Sequence, residues 1–192
     1  GAYYRMLFVR GAATFVPRVE PRFSNPAPPT PLFHLLNHGL PVMSPDLDLS
    51  SLVRNDPEGR RFEVNRRTLV DEEILAFERR RIFDRCWIYV GHESEVRNPG
   101  DFRTRTLCGR PVIFCRDTKN ALRVFLNTCR HRGAMVCRET EGNARNYTCF
   151  YHGWSFNRDG ELDGIPGERD YPSSFDRREW ALKEAPRVES YR

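Results

Sequence analysis

Two short runs of this chain each pair a cysteine with a histidine: Cys129-Arg-His131-Arg-Gly133 and Cys149-Phe-Tyr-His152-Gly-Trp154. Each run offers one thiolate and one imidazole, and a glycine follows each histidine closely. A fold that uses both runs must bring two separate loops to one point. The donor set suits zinc or iron. Zinc sites of this composition usually pair cysteine with cysteine across a gap of two to four residues. Here the order is Cys-His then Cys-His, and the first gap is a single residue, which is unusual for zinc.

The same four donors are the ligand set of a Rieske [2Fe–2S] centre, in which two cysteines hold one iron and two histidines the other. Each loop must then deliver sulfur to the inner iron and nitrogen to the outer one, so each Cys–His separation must be short. Cys129, His131, Cys149 and His152 are therefore the candidate cofactor- and metal-binding residues; no catalytic residue is assigned. Gly133 and Gly153 suit tight turns or a close backbone approach to a cluster. A zinc module and a coincidence of core cysteines with surface histidines are the alternatives.

The pattern around the two loops is that of strands. Trp87-Ile-Tyr-Val90, Phe102 to Leu107, Pro111 to Arg116 and Leu122 to Asn127 are short β-like runs. Asn98-Pro-Gly100, Cys108-Gly-Arg110 and Asp117-Thr-Lys-Asn120 are the turns between them. A second group follows at Tyr147 to Cys149, Trp154 to Asn157 and Glu161-Leu162, with an Asp159-Gly160 hairpin turn. The expected fold is mainly β, a Rieske-type antiparallel β-sandwich. A helical lead precedes it: Thr68-Leu-Val-Asp71 resembles a capping box, and a helix is expected from about Asp71 to Asp84. Its apolar face would carry Ile74, Leu75, Phe77, Ile82, Phe83 and Cys86. Arg79, Arg80, Arg81 and Arg85 would lie mostly on its solvated side.

The first 45 residues differ from the rest. Eight of the 14 prolines lie between Pro17 and Pro45. The expected layout is a Pro-rich extension over 1–45 outside the native or ordered fold, the helical lead over 46–85, the Rieske domain over 86–180, and the start of a further, catalytic α+β domain over 181–192. Met43 is the expected natural start, a transit peptide being the lesser alternative, and removing residues 1–42 is expected to leave the domain intact. His34 and His38, four apart, are read as incidental. The formal net charge of +5 includes +3 from residues 1–45, where Arg5, Arg10, Arg18 and Arg22 face only Glu20. The remainder is close to neutral, which excludes a nucleic-acid footprint. No apolar run reaches the roughly 18–20 residues of a membrane span. With no secretory signal, a reducing cytoplasm is the expected location. Cys86, Cys108, Cys115 and Cys137 are then read as small buried hydrophobes.

The stretches Leu126-Asn-Thr-Cys129-Arg-His-Arg-Gly-Ala134, Glu141-Gly-Asn143 and Cys149-Phe-Tyr-His-Gly-Trp154 resemble the large (alpha) subunit of bacterial aromatic-ring-hydroxylating dioxygenases. The resemblance runs from about Arg61 to Arg192. It implies that Cys129 and Cys149 bind one iron and His131 and His152 the other. It also implies electron supply from NAD(P)H through a reductase, often with a ferredoxin, and assembly with other alpha subunits, with or without a beta subunit. The aromatic substrate would meet a mononuclear non-haem Fe(II) in a second domain. No histidine follows His152, and His34, His38 and His92 do not build that iron's ligand triad, so its domain is expected to lie beyond this chain. Trp154 and Tyr151 are candidates to shield the cluster, ordinary packing being the alternative. Two other readings stay open: a free Rieske ferredoxin that carries electrons, and a Rieske monooxygenase or demethylase.

Overall fold

The computed structural model describes residues 6–10 and 48–191. The described residues fall into two compact units, one with residues 6–10 and 85–191 and the other with residues 48–84. The pair His34 and His38 lies outside the described residues.

The first unit opens with strand β1 (Met6–Arg10). The sequence predicts no element in this region. In Met-Leu-Phe-Val-Arg the alternate residues Leu7 and Val9 are buried, at 2% and 8% exposure, which is the period of a half-buried strand. The expectation that residues 1–42 can be removed without effect does not fit this burial.

In the second unit, β2 (Val53–Asp56) and β3 (Arg61–Val64) form an antiparallel hairpin. Its residues are nearly all exposed, and it lies within the expected helical lead, where no strand is predicted. The helical part begins earlier than expected and is broken into three pieces. It comprises α1 (Arg67–Val70), α2 (Glu72–Glu78) and a wider π-type turn at Arg79–Phe83. Asp71, not Thr68, caps α2: its carboxylate accepts the Glu73 N–H at 3.0 Å. Thr68 instead donates its hydroxyl to the Asn65 carbonyl at 2.9 Å. Of the expected apolar face Ile74 is buried, whereas Leu75 and Ile82 are exposed.

The first unit then continues with β4 (Trp87–His92), β5 (Asp101–Leu107), β6 (Arg110–Arg116), β7 (Leu122–Leu126), β8 (Glu141–Asn143), β9 (Asn146–Thr148), β10 (Ser155–Asn157), β11 (Leu162–Gly164) and β12 (Val188–Tyr191). Three sheets result, in the orders β12-β1-β4, β7-β6-β5-β8 and β11-β10-β9, and every pairing is antiparallel. The mainly β antiparallel fold expected from the sequence is the fold observed.

Strand β6 explains where the cores sit. Its run Val112-Ile-Phe-Cys-Arg116 is buried at every position, as befits a strand covered on both faces. Ile113 and Cys115 point into one core, which holds Phe125, Cys129, Cys149, Trp154 and Phe156. Val112 and Phe114 point into the other, with Leu7, Val9, Val90 and Val124. The four-stranded sheet thus backs the two cysteine–histidine loops on one face and β1 on the other. Residues after 180 belong to the same unit: Leu182 enters the core beside the cysteines, and β12 pairs with β1.

Candidate metal centre

The first loop follows β7 and the second joins β9 to β10. Both close in the same way. The Cys129 N–H donates to the Ala134 carbonyl at 2.7 Å, and the Gly133 N–H donates to the Cys129 carbonyl at 2.9 Å. In the second loop the Cys149 N–H donates to the Trp154 carbonyl at 2.8 Å, and the Gly153 N–H to the Cys149 carbonyl at 2.9 Å. Each closure reverses the chain at a glycine with positive φ, 75° at Gly133 and 72° at Gly153, a conformation that side chains resist. The frames match, yet the histidine is two residues past the cysteine in one loop and three past it in the other.

All four sequence-derived candidates come together, in two pairs. Cys129 and Cys149 are buried in one core, at 4% and 2% exposure, close enough for Cys149 to act on the Cys129 thiol. His131 and His152 are half-buried, and their ring centroids are 4.6 Å apart with planes at 68°. Among the described residues no group of three or more His, Cys, Asp or Glu side chains closes round a single ion. Two sulfurs inside and two imidazoles outside is the division that a two-iron cluster requires.

The electrostatics fit a bound cationic group. Burial pushes the Cys129 thiol up to about 11; the backbone N–H groups of His131 and Arg132 pull the other way, and the neighbouring Cys149 adds to the rise. Such a thiol is neutral at pH 7 until a metal takes it as thiolate. Burial, then the adjacent His152 and Arg132, hold His131 below the usual histidine value, which favours the neutral imidazole that ligates metals. The Nδ1 atom of His131 is buried and has no hydrogen-bond partner. Buried polar atoms are rarely left so, and a metal bond would satisfy this one.

Two features hold the loops in place. Asn127 is buried beneath the first loop and hydrogen-bonds across its base to Val136 and Cys137. The Arg138 guanidinium of the first loop lies 5.1 Å from the Phe150 ring centroid of the second. Nothing in the sequence marks Asn127 for this role, because an asparagine at a strand end resembles any loop asparagine. The two shield candidates differ. Trp154 is buried, whereas Tyr151 is 46% exposed. Of the spare cysteines, Cys115 and Cys137 are buried as expected, and Cys86 and Cys108 are only half-buried.

Residues 86–189 match the family model described as the Rieske [2Fe–2S] domain, and the chain belongs to that family. Its [2Fe–2S] cluster is accordingly the cofactor implied for this fold. The chain is similar to the benzene 1,2-dioxygenase subunit alpha of Pseudomonas putida, with 40% identity over 129 residues, 67% of this chain and 28% of that one. It is also similar to the N,N-dimethyl phenylurea N-demethylase subunit alpha of Sphingobium sp. (strain YBL2), with 43% identity over 122 residues, 63% of this chain and 27% of that one. Among solved structures, naphthalene 1,2-dioxygenase from Rhodococcus sp. bound to indole aligns with a TM-score of 0.63 and 38% identity, over 67% of this chain and 29% of that one. The chain is thus homologous to Rieske oxygenase alpha subunits and spans less than a third of their length. No helix among the described residues is long and apolar enough to cross a membrane.

Proposed function

We propose that this chain is the electron-transfer part of an aromatic ring-hydroxylating dioxygenase alpha subunit. Cys129 and Cys149 hold one iron as thiolates, and His131 and His152 hold the other as neutral imidazoles. When bound, the [2Fe–2S] group supplies one-electron transfer at a potential that histidine ligation sets within roughly −150 to +300 mV. The observation that supports this reading is the paired geometry: two cysteines buried in one core and two imidazoles 4.6 Å apart on twin loops.

The protein's own residues do four things. The core around Ile113, Phe125 and Phe156 keeps water from the cysteines. The twin closures orient the sulfurs inward. The backbone N–H groups of His131 and Arg132 point at the Cys129 sulfur and stabilise it as thiolate. The imidazoles stand on the outer side, where a remaining ring N–H can meet a carboxylate of a partner. Electrons come from NAD(P)H through a reductase, with a ferredoxin between. They pass on to a mononuclear iron held outside these 192 residues, in an oxygenase assembled from alpha subunits. That iron's site dihydroxylates the aromatic ring.

A second reading, a Rieske monooxygenase or demethylase, is favoured by one observation: the 43% identity to the N-demethylase subunit alpha. Both readings share the cluster and differ only in the domain that uses its electrons.

Metal and sulfide content tests the shared part. About two irons and two acid-labile sulfides per chain are expected. His131→Cys should keep a cluster whose potential falls toward the roughly −400 mV of all-cysteine plant-type clusters. A colourless protein with a single zinc overturns the reading, and an unchanged potential in His131→Cys removes His131 from the ligands.

A further inference from the structure

The two imidazoles have different neighbours. The His131 ring lies parallel to the Trp154 indole, with centroids 4.9 Å apart and planes within 7°. The His152 ring is covered instead by the exposed Tyr151, at 3.8 Å and 33°. Trp154 therefore spans the two loops. Its backbone carbonyl closes the second loop on Cys149, while its side chain backs the histidine of the first.

Trp154 is itself held from behind. A later stretch of chain brings three rings edge-on to the indole: Trp180 at 5.5 Å, Phe175 at 6.2 Å and Tyr171 at 6.3 Å. These rings also pack on one another, Tyr171 with Phe175 at 4.9 Å and Phe175 with Trp180 at 5.7 Å. Edge-to-face contacts at these distances are the favoured aromatic geometry. None of the three rings packs on the ring of either histidine; their route to the centre is the indole.

We infer that Trp154 is a positioning residue that fixes the ring plane of His131, and that Tyr171, Phe175 and Trp180 act through it. A segment that supplies no ligand thereby tunes the nitrogen side of the centre. The inference rests on His131 being an iron ligand. Its physical basis is that orientation of a ligating imidazole and the solvent exposure around a cluster both shift the cluster's potential. The indole covers one face of His131 and excludes water from it. Reduction adds one electron and its negative charge, with no bond made or broken. Water admitted at that face would stabilise the added charge, so losing the indole should raise the potential.

The test uses the full chain with its cluster, as wild type, Trp154→Phe, Trp154→Leu and Trp180→Leu. Iron and sulfide content, the voltammetric potential and the electron paramagnetic resonance spectrum of the reduced protein are measured for each. Trp154→Phe, which keeps a flat ring, should stay near wild type. Trp154→Leu and Trp180→Leu should change the spectrum and raise the potential. The expected rise is at least about threefold in the ratio of reduced to oxidised protein, about 28 mV at 59 mV per tenfold for a one-electron couple. If Trp154→Leu fails to hold a cluster, Trp180→Leu decides, because it leaves both loops intact. A lower melting temperature with unchanged potential and spectrum would show packing alone and overturn the inference. Wild type without iron and sulfide would instead overturn the cluster reading beneath it.

Discussion

Asn127 grips Cys137 by both of its backbone groups: its Nδ2 donates to the Cys137 carbonyl at 2.7 Å, and its Oδ1 accepts the Cys137 N–H at 2.8 Å. The same Oδ1 accepts the Val136 N–H at 3.1 Å. One buried amide therefore pins the far end of the first loop to its near end. Asn127→Ala leaves three buried backbone groups without partners, at a cost of about 3 kcal/mol or more. The expected outcome is an earlier denaturation midpoint together with less than one cluster per chain. Full iron loading and an unchanged midpoint would show that the loop holds itself.

The twin glycines separate strain from space. Alanine at either position meets the cost of a left-handed backbone, about 1–2 kcal/mol. At Gly133 an added Cβ meets nothing within 4 Å, whereas at Gly153 it would stand 2.8 Å from Pro166 Cγ. Gly133→Ala should therefore lose only the backbone cost and keep its cluster. Gly153→Ala should be clearly the less stable and load iron poorly. Equal losses in urea melts would contradict this account.

Acid should unfold the domain partly through Asp117. Burial favours its protonated form, but the Arg123 guanidinium and the N–H groups of Ala121 and Lys119 outweigh that and hold it below the usual carboxylate range. A depressed folded-state pKa contributes stability that is complete above the unfolded value of about 3.9 and disappears as pH falls through the folded value. Asp117→Asn should be less stable by about 1–3 kcal/mol at neutral pH. It should also lose less stability than wild type between about pH 5 and pH 2. Parallel stability–pH curves for the two proteins would assign the acid sensitivity to other groups.

Strands β6 and β7 were legible because Val112 to Cys115 is an apolar run and Leu122 to Phe125 one broken only by Arg123, both bounded by turn residues. The two loops were legible because thiols and imidazoles at such short spacing have few structural uses. What escaped lacked that contrast. β8 is three exposed residues, Glu141–Asn143. The β2–β3 hairpin has strands of only four residues each, so the alternation of Arg61-Phe-Glu-Val64 is too short to stand out. Asn127 gains its role only through the distant carbonyl and amides of Val136 and Cys137. The stack of Trp154 on His131 joins two loops, a relation that no single window of sequence contains.

Strand β1 was hidden among residues unlike it, and it should matter to stability. Leu7 is 2% exposed and Met6 44%. Leu7→Ala should cost about 2–4 kcal/mol, while Met6→Ala should stay within about 0.5 kcal/mol. Thermal melts of the two variants check this. A neutral Leu7→Ala would mean that the sheet forms without its middle strand.

Leu7 pairs with Gly91 on one side and Ser190 on the other. Strand β1 is thus locked in place by a strand that follows it much later in the chain. The loops bearing Cys129 and Cys149 leave the ribosome well before residue 190 does, and their contacts are nearer in sequence than those of β1. Contacts between distant positions form late because the intervening chain must first be gathered in. Assembly is therefore expected to run from the centre outward: the two loops can close, and Leu7 and Val9 can pack on Val90, Val112 and Phe114, while the outer sheet still waits for β12 as its third strand.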